Sequence, residues 1–184
     1  VCHGRAREGR PGGHARHAAV ILFFGRIGLD QNGQAWSIDQ PVGQGAGHVL
    51  GGHGPTMVPM PRLTTVGGVP VTELLDAETL ERIAKRTREA GTELVKLYGN
   101  GSAFFSPASS AIVMAESYLK DKKRVLPVAA MCNGEYGVDG LFIGVPARIG
   151  AGGVEKIVEL PLTDDEKAAF RKSANEVKAG IAEL

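Results

Sequence analysis

The sequence predicts an α+β domain from Val49 to the C-terminus. Three observations support this class: two helical segments follow each other directly, several extended segments are grouped after them, and one capped helix closes the chain. In an alternating α/β domain, each strand would instead lead into its own helix. The grouping of strands between helices therefore favours an α+β fold over a doubly wound one.

The regular pattern begins with a glycine-rich loop. Val49 and Leu50 lead into residues 51–59, where three glycines surround His53, and short extended stretches follow at residues 64–66 and 69–71. Glycine alone adopts positive φ angles without steric cost. The segment is therefore predicted to be the end of a strand followed by a tightly constrained loop.

Two helices are predicted next. In residues 79–98 the apolar side chains recur at helical spacing, and Gly99 predicts the end of that helix. A second helix is predicted over residues 107–120, because Ser106 can cap a helix whose first residue, Pro107, needs no hydrogen-bond acceptor. Its many small residues predict close packing against a neighbouring element.

Strands and a final helix complete the prediction. Extended segments occupy residues 125–130, 141–149 and 154–160, with turns at residues 133–134 and 150–153. The glycines of that second turn are not a dinucleotide-binding fingerprint, because a strand and not a helix follows them. Thr163 and Glu166 form a capping box. The helix that they begin has an apolar stripe made of Phe170, Ala174, Val177 and Ile181.

Composition excludes several functional classes. The chain has 21 Lys and Arg against 20 Asp and Glu, so it lacks the basic surplus that is typical of nucleic-acid binders. The longest apolar run, residues 18–24, is too short to span a bilayer. The two cysteines, Cys2 and Cys132, have no metal-ligand spacing and cannot form a disulfide framework. We therefore expect a cytoplasmic protein with no metal, no nucleic acid and no membrane partner.

Residues 1–46 differ from the rest of the chain. They are rich in Gly, Arg, Ala and His and show no apolar period beyond residues 18–24, so no domain is assigned to them. Disorder or an out-of-frame reading of a GC-rich gene would each explain this composition. Basic residues before the apolar run leave a signal peptide as an alternative, but the run is short and Gly25-Arg26 follows it in place of a cleavage site.

His53 is the candidate catalytic residue. A lone histidine is usually a surface residue or a hydrogen-bonded core residue. Its flanking glycines, however, indicate a constrained and partly open loop. Histidine is also the side chain whose ordinary pKa lies nearest to neutral pH, which suits a general acid or base. Both interpretations remain open from the residues alone.

A resemblance to a known family favours the catalytic interpretation. The segments VLGGHGPTMVP, TVGGVPV, GSAFFSPASSAIVMAESYLKDKKRVLPVAA, CNGEYGVDGLFIGVPARIGAGGVEKIVEL and LTDDEKAAFRKSANEV occur in this order. Together they resemble the malate/lactate dehydrogenases, most closely their bacterial lactate-dehydrogenase-like malate dehydrogenase branch. The resemblance covers residues 47–184. It implies the C-terminal catalytic (substrate) domain of that fold, without the N-terminal Rossmann domain, because no G-x-G-x-x-G follows an N-terminal strand.

The resemblance also implies a function and a set of site residues. The parent enzyme would be a homo-oligomer that reversibly oxidises malate to oxaloacetate with NAD, and His53 would transfer the hydroxyl proton. Ser102 would line the substrate pocket, and Ser106 and Pro107 would lie near the nicotinamide. The residues alone equally allow Ser102 as a turn or capping residue and the Ser106-Pro107 pair as a plain helix start.

The sequence departs from the family pattern in two places. The family has an aspartate and an arginine on a helix shortly before the histidine, and neither Asp30 nor Asp39 has the matching surroundings. Pro55 stands where the family usually has an acidic residue. The isolated chain is therefore predicted to be inactive. The alternatives are a lactate dehydrogenase of the same family, a non-catalytic oligomerisation module and an unrelated small intracellular binding protein.

Overall fold

A computed structural model describes residues 47–99, 101 and 104–183, together with the backbone of three short strand segments before Gly47. The predicted candidates Asp30, Asp39 and Ser102 lie outside the described residues, as does Cys2. In chain order the strands and helices are β1 Gly28–Leu29, β2 Ala35–Trp36, β3 Gly45–Ala46, β4 Val49–Leu50, β5 Val58–Pro59, β6 Thr65–Val66, β7 Val69–Pro70, α1 Ala77–Tyr98, α2 Phe105–Leu119, β8 Arg124–Asn133, β9 Asp139–Gly150, β10 Gly153–Ile157 and α3 Asp164–Ala182.

The centre of the fold is a three-stranded antiparallel sheet in which β9 lies between β8 and β10. Consecutive residues of β9 from Ile143 to Ala147 are all buried, so both faces of this strand are covered. The three predicted strands form in the predicted order, but the third is shorter at its end than predicted, because β10 ends at Ile157 and not at residue 160. The first two are longer than predicted, because pairing continues to Asn133 on β8 and begins at Asp139 on β9, across a short 3-10 turn at Glu135–Gly137.

A second set of short strands attaches the glycine-rich loop to the sheet. β4 and β5 pair with each other, and Gly51 forms a bridge with Gly144 of β9. Two further antiparallel pairings join β6 to β3 and β7. The loop that carries His53 therefore begins at a buried position in the middle of the domain.

Helix α3 packs its buried face against β5 and β9. Its capping box is formed on both sides, since Glu166 N–H donates to Thr163 Oγ1 and Thr163 N–H donates to Glu166 Oε2. Phe170 and Ala174 are buried in the core and Val177 packs against it. Ile181 was wrongly placed on the buried stripe. It is 54% exposed, because the packing of α3 on the core ends at Val177.

Helices α1 and α2 form as predicted, but each begins two residues earlier than predicted, α1 at Ala77 and α2 at Phe105. α1 ends at Gly99, as its glycine predicts. α2 begins at Phe105, two residues earlier than expected, and Ser106 is therefore a buried residue of its first turn and not its cap. Proline is still tolerated, because the first N–H groups of a helix have no intrahelical acceptor. No helix in the described part of the chain is both long and apolar enough to cross a membrane.

Candidate functional site

The loop from Gly51 to Met57 presents His53 at the surface, and its first residue is held by the sheet. Gly51 N–H donates to Gly144 O at 3.0 Å, and Gly144 N–H donates back to Gly51 O at 2.9 Å. Gly51 has a φ of 93°, and a Cβ there would lie 2.5 Å from Ser173 Oγ. Only glycine satisfies both the dihedral angle and this close approach to α3.

Gly52 fixes the backbone immediately before His53. Its N–H donates to Ser173 Oγ at 2.7 Å, in a buried hydrogen bond between residues 121 positions apart. A Cβ on Gly52 would lie 2.6 Å from Val177 Cγ2. The loop therefore lies directly on α3, at a distance that no larger residue at position 52 would allow.

The far side of the loop closes in a tight turn. Met57 N–H donates to Gly54 O at 3.1 Å, which places Pro55 at the second position of a four-residue turn. Proline is favoured at this position, because its fixed φ matches the turn. The departure at Pro55 is therefore compatible with a closed loop, and buried Met57 ties the turn to the interior.

Between these two attachments His53 is exposed. An imidazole on a fixed backbone, open to solvent, can meet a substrate oxygen without first moving the chain. This exposure is compatible with a general acid or base, which must come within hydrogen-bond reach of the group whose proton it transfers. Among the described residues, no group of three or more His, Cys, Asp or Glu side chains could hold a metal ion.

The other predicted site residues belong to a different element. Ser106 is buried and Pro107 is half-buried in the first turn of α2. Both α2 and β4 contact β9, so the strand that anchors the His53 loop also supports this helix. The proposed contacts of Ser106 and Pro107 with a nicotinamide stay predictions.

The sequence interpretation missed two residues that the structure makes conspicuous, Ser173 and His48. Ser173 lies on α3 between Phe170 and Val177, so a polar side chain within an apolar stripe at helical spacing was the available signal. His48 lies just before β4, and its Nδ1 atom is buried with no hydrogen-bond partner among the described residues. Burial lowers the pKa of His48 below its ordinary value. No local pattern indicated that this half-buried histidine would have a buried ring nitrogen.

A small apolar pocket of about 30 Å³ lies beside His48. It lies between the β4–β5 hairpin and α1, with His48 and Met60 on one side and Leu80 and Ala84 on the other. The pocket lining does not include His53. It is therefore separate from the loop that carries the candidate chemistry.

The described residues do not form a dinucleotide-binding unit. Every pairing between the described strands is antiparallel, whereas such a unit needs parallel strands joined through a glycine-rich turn and a helix. What the described part does offer is an α+β domain that presents one histidine from a glycine-framed loop. A domain of this class can present the imidazole of His53 to a bound molecule, an arrangement that acid–base catalysis can use.

Comparison with known proteins identifies the family. Residues 38–184 match the family described as lactate/malate dehydrogenase, alpha/beta C-terminal domain. The chain is 59% identical over 135 residues to malate dehydrogenase 1 of Anaeromyxobacter dehalogenans, covering 73% of this chain and 43% of that protein. The chain belongs to the lactate/malate dehydrogenase family and carries its α/β C-terminal domain. The resemblance and the fold class predicted from the sequence are both confirmed.

Solved structures agree with this assignment. Malate dehydrogenase from Salinibacter ruber matches with a TM-score of 0.75 and 51% identity, over 77% of this chain and 46% of that one. Lactate dehydrogenase from Cryptosporidium parvum, complexed with lactic acid and nicotinamide adenine dinucleotide, matches with a TM-score of 0.71 and 43% identity, over 74% and 44%. The chain thus spans less than half the length of these relatives.

Proposed function

We propose that this chain supplies the substrate-side half of an NAD-dependent malate dehydrogenase, and that His53 is its proton-transfer residue. The observation that carries the proposal is the exposed imidazole on a loop whose two ends are fixed by buried backbone contacts. The family membership and the relatives named malate dehydrogenase support the reaction class.

The chemistry assigned to His53 follows from the charge balance of the reaction. When a hydride leaves C2 of malate, the hydroxyl oxygen must also lose its proton, and the neutral imidazole accepts it. In the reverse direction the imidazolium donates a hydrogen bond to the ketone oxygen of oxaloacetate, polarises the carbonyl and then returns the proton. NAD would supply the hydride chemistry, and the described residues do not form the dinucleotide-binding unit that would hold it. We therefore expect no turnover by the 184-residue chain alone.

Lactate is the second candidate substrate. It is supported by the match to a lactate dehydrogenase structure at 43% identity. Malate is preferred because the match to the bacterial malate dehydrogenase is closer, at 59% identity. A cytoplasmic location is proposed as well, since two cysteines, Cys2 and Cys132, are too few for the disulfide framework that is typical of small secreted domains.

A chimera tests the proposed reaction. The matching C-terminal segment of the Anaeromyxobacter dehalogenans relative is replaced by residues 47–184, and NAD reduction is followed with malate and with lactate. We expect malate-dependent activity that falls at least about 100-fold in His53→Asn. Pro55→Ala, a change two residues away on the same loop, serves as the control and should retain most activity. An inactive chimera, or one in which His53→Asn retains full activity, would contradict the proposal.

We also propose that the parent enzyme is a homo-oligomer that uses the outer face of α2. A stripe of exposed apolar residues runs along this helix at alternating spacings of three and four. It consists of Phe105, Ala108, Ile112, Ala115 and Leu119. Such spacing is typical of a helix that packs along its length against another helix. A single exposed apolar residue needs no explanation, but a continuous stripe indicates a contact surface.

Sedimentation of the full chain tests this surface. We expect self-association that is abolished by Ile112→Lys but retained in Tyr118→Lys, which changes an exposed residue of the same helix outside the stripe. If the unsubstituted chain is monomeric, or if both variants lose self-association equally, the proposal is contradicted. Association together with an inactive chimera would instead favour a non-catalytic oligomerisation module.

A further inference from the structure

We propose that Ser173 of α3 is a positioning residue for His53. Its hydroxyl holds the backbone of Gly52 against α3 and so sets where the next residue, His53, points. The inference rests on the proposed function, because the position of His53 matters for catalysis only if His53 transfers the proton.

The geometry concentrates several contacts on one hydroxyl. Ser173 Oγ accepts the Gly52 N–H at 2.7 Å and lies 3.5 Å from Thr56 Oγ1, so it faces the loop on both sides of His53. It also occupies the space where a Cβ of Gly51 would be. One side chain of α3 thus approaches three residues of the loop, Gly51, Gly52 and Thr56. Ser173 is therefore the point at which the loop is attached to α3.

Burial makes the loss of the hydrogen bond between Gly52 and Ser173 costly. Ser173 is fully buried, and a buried hydroxyl or N–H without a partner is costly to leave unpaired. The Gly52 N–H points at α3, where an alanine at position 173 would offer no acceptor. The loop would then have to shift to find water, and the backbone shift would be passed directly to His53.

Ser117 shows that a buried helical serine need not act on the loop. It is also fully buried, and it lies on α2. Its hydroxyl donates to Ile149 O at 2.7 Å and accepts Arg124 N–H at 3.2 Å, so it joins the helix to the ends of β8 and β9. Ser117 therefore provides a matched control with the same residue type, the same burial and a distant set of partners.

The test compares Ser173→Ala with Ser117→Ala in the full chain, without any activity measurement. Amide hydrogen exchange of Gly52 and the ring NMR signals of His53, assigned with His53→Asn, are recorded for both variants. In Ser173→Ala we expect Gly52 exchange to accelerate about five- to tenfold relative to Ser117→Ala, and the His53 ring signals to shift or broaden. Unchanged signals in Ser173→Ala, or equal changes in both variants, would overturn the inference.

A second variant covers the case in which Ser173→Ala fails to fold. Ser173→Cys keeps a side chain of similar shape with a weak acceptor, and we expect an intermediate effect at Gly52 and His53. No effect of this variant on either signal would count against the positioning role. Because both readouts report local structure, their failure is distinguishable from an inactive chimera, which would instead contradict the catalytic role of His53. In an active chimera, Ser173→Ala should lower kcat more than it changes KM, and Ser117→Ala should not.

Discussion

Phe170 on α3 is 1% exposed, whereas Phe105 on α2 is 76% exposed, although both are aromatic residues on helices of the same chain. The partners of the α3 face are within the described residues, namely β5, β9 and the Tyr136 ring, whose centroid lies 5.3 Å from that of Phe170. The apolar stripe of α2 has no comparable cover in that part of the chain. The difference indicates that the α3 region completes its own core, while the α2 region is shaped for contact with another molecule or segment.

The largest expected effect is a loss in the free energy of unfolding, and it should follow truncation of Phe170 but not of Phe105. Phe170→Ala should lower the free energy of unfolding by about 3–5 kcal/mol, because it leaves a cavity in the core. Phe105→Ala should change it by less than about 0.5 kcal/mol in the monomeric chain. Denaturant titration under conditions that prevent association measures both values. Similar losses in the two variants would show that α2 packs against the core more closely than its exposure indicates.

The N-caps of α3 and α1 allow a similar comparison between a helix packed on the core and a more exposed helix. The expected changes in the free energy of unfolding are smaller. Thr163 caps α3 in an exposed capping box directly after Leu162, which packs against the core, and Asp76 caps α1 by accepting the Thr79 N–H at 2.7 Å. Thr163→Ala should cost about 1 kcal/mol of global stability. Asp76→Ala should instead weaken hydrogen-exchange protection in the first turns of α1 with a smaller global change, because most of α1 is only half-buried or exposed. A larger loss of global stability in Asp76→Ala than in Thr163→Ala would contradict the distinction between the packed helix α3 and the more exposed helix α1.

Features set by nearby residues were the ones that the sequence could predict. The capping box at Thr163, the end of α1 at Gly99 and the constrained loop around His53 each depend on a few neighbouring positions. The start of α2 was misplaced because Ser106 and Pro107 suit a cap and a first turn equally well, and only packing decides that Ser106 is buried. Family resemblance, and not residue spacing, singled out the role of His53.

Long-range contacts could not be predicted in this way. The hydrogen bond from Gly52 to Ser173 joins residues 121 positions apart, so no window of sequence contains both partners. The exposure of Ile181 has the same origin, because the helical stripe continues after the surface that it packs against has ended. The burial of His48 likewise depends on α1, which follows it by about thirty residues.

His48 lies between the β4–β5 hairpin and α1, and its titration gives the last and smallest expected effect. The apolar pocket beside it is lined by the hairpin on one side and by α1 on the other. Burial lowers the pKa of His48 below 6.5, so the folded chain holds this imidazole neutral while the unfolded chain takes up a proton more readily. Stability contributed by the neutral form is therefore present above pH 6.5 and is lost as the pH falls from 6.5 toward the lowered pKa.

His48→Gln should remove this part of the pH dependence, because glutamine does not titrate. We expect the fall in the unfolding midpoint between about pH 7.5 and pH 5 to be smaller in His48→Gln than in the parent chain. If the fall is identical in the parent and in His48→Gln, protonation of His48 does not weaken the contact between the hairpin and α1. The pH dependence of stability, both in the core around α3 and in the more exposed helices α1 and α2, would then not depend on His48.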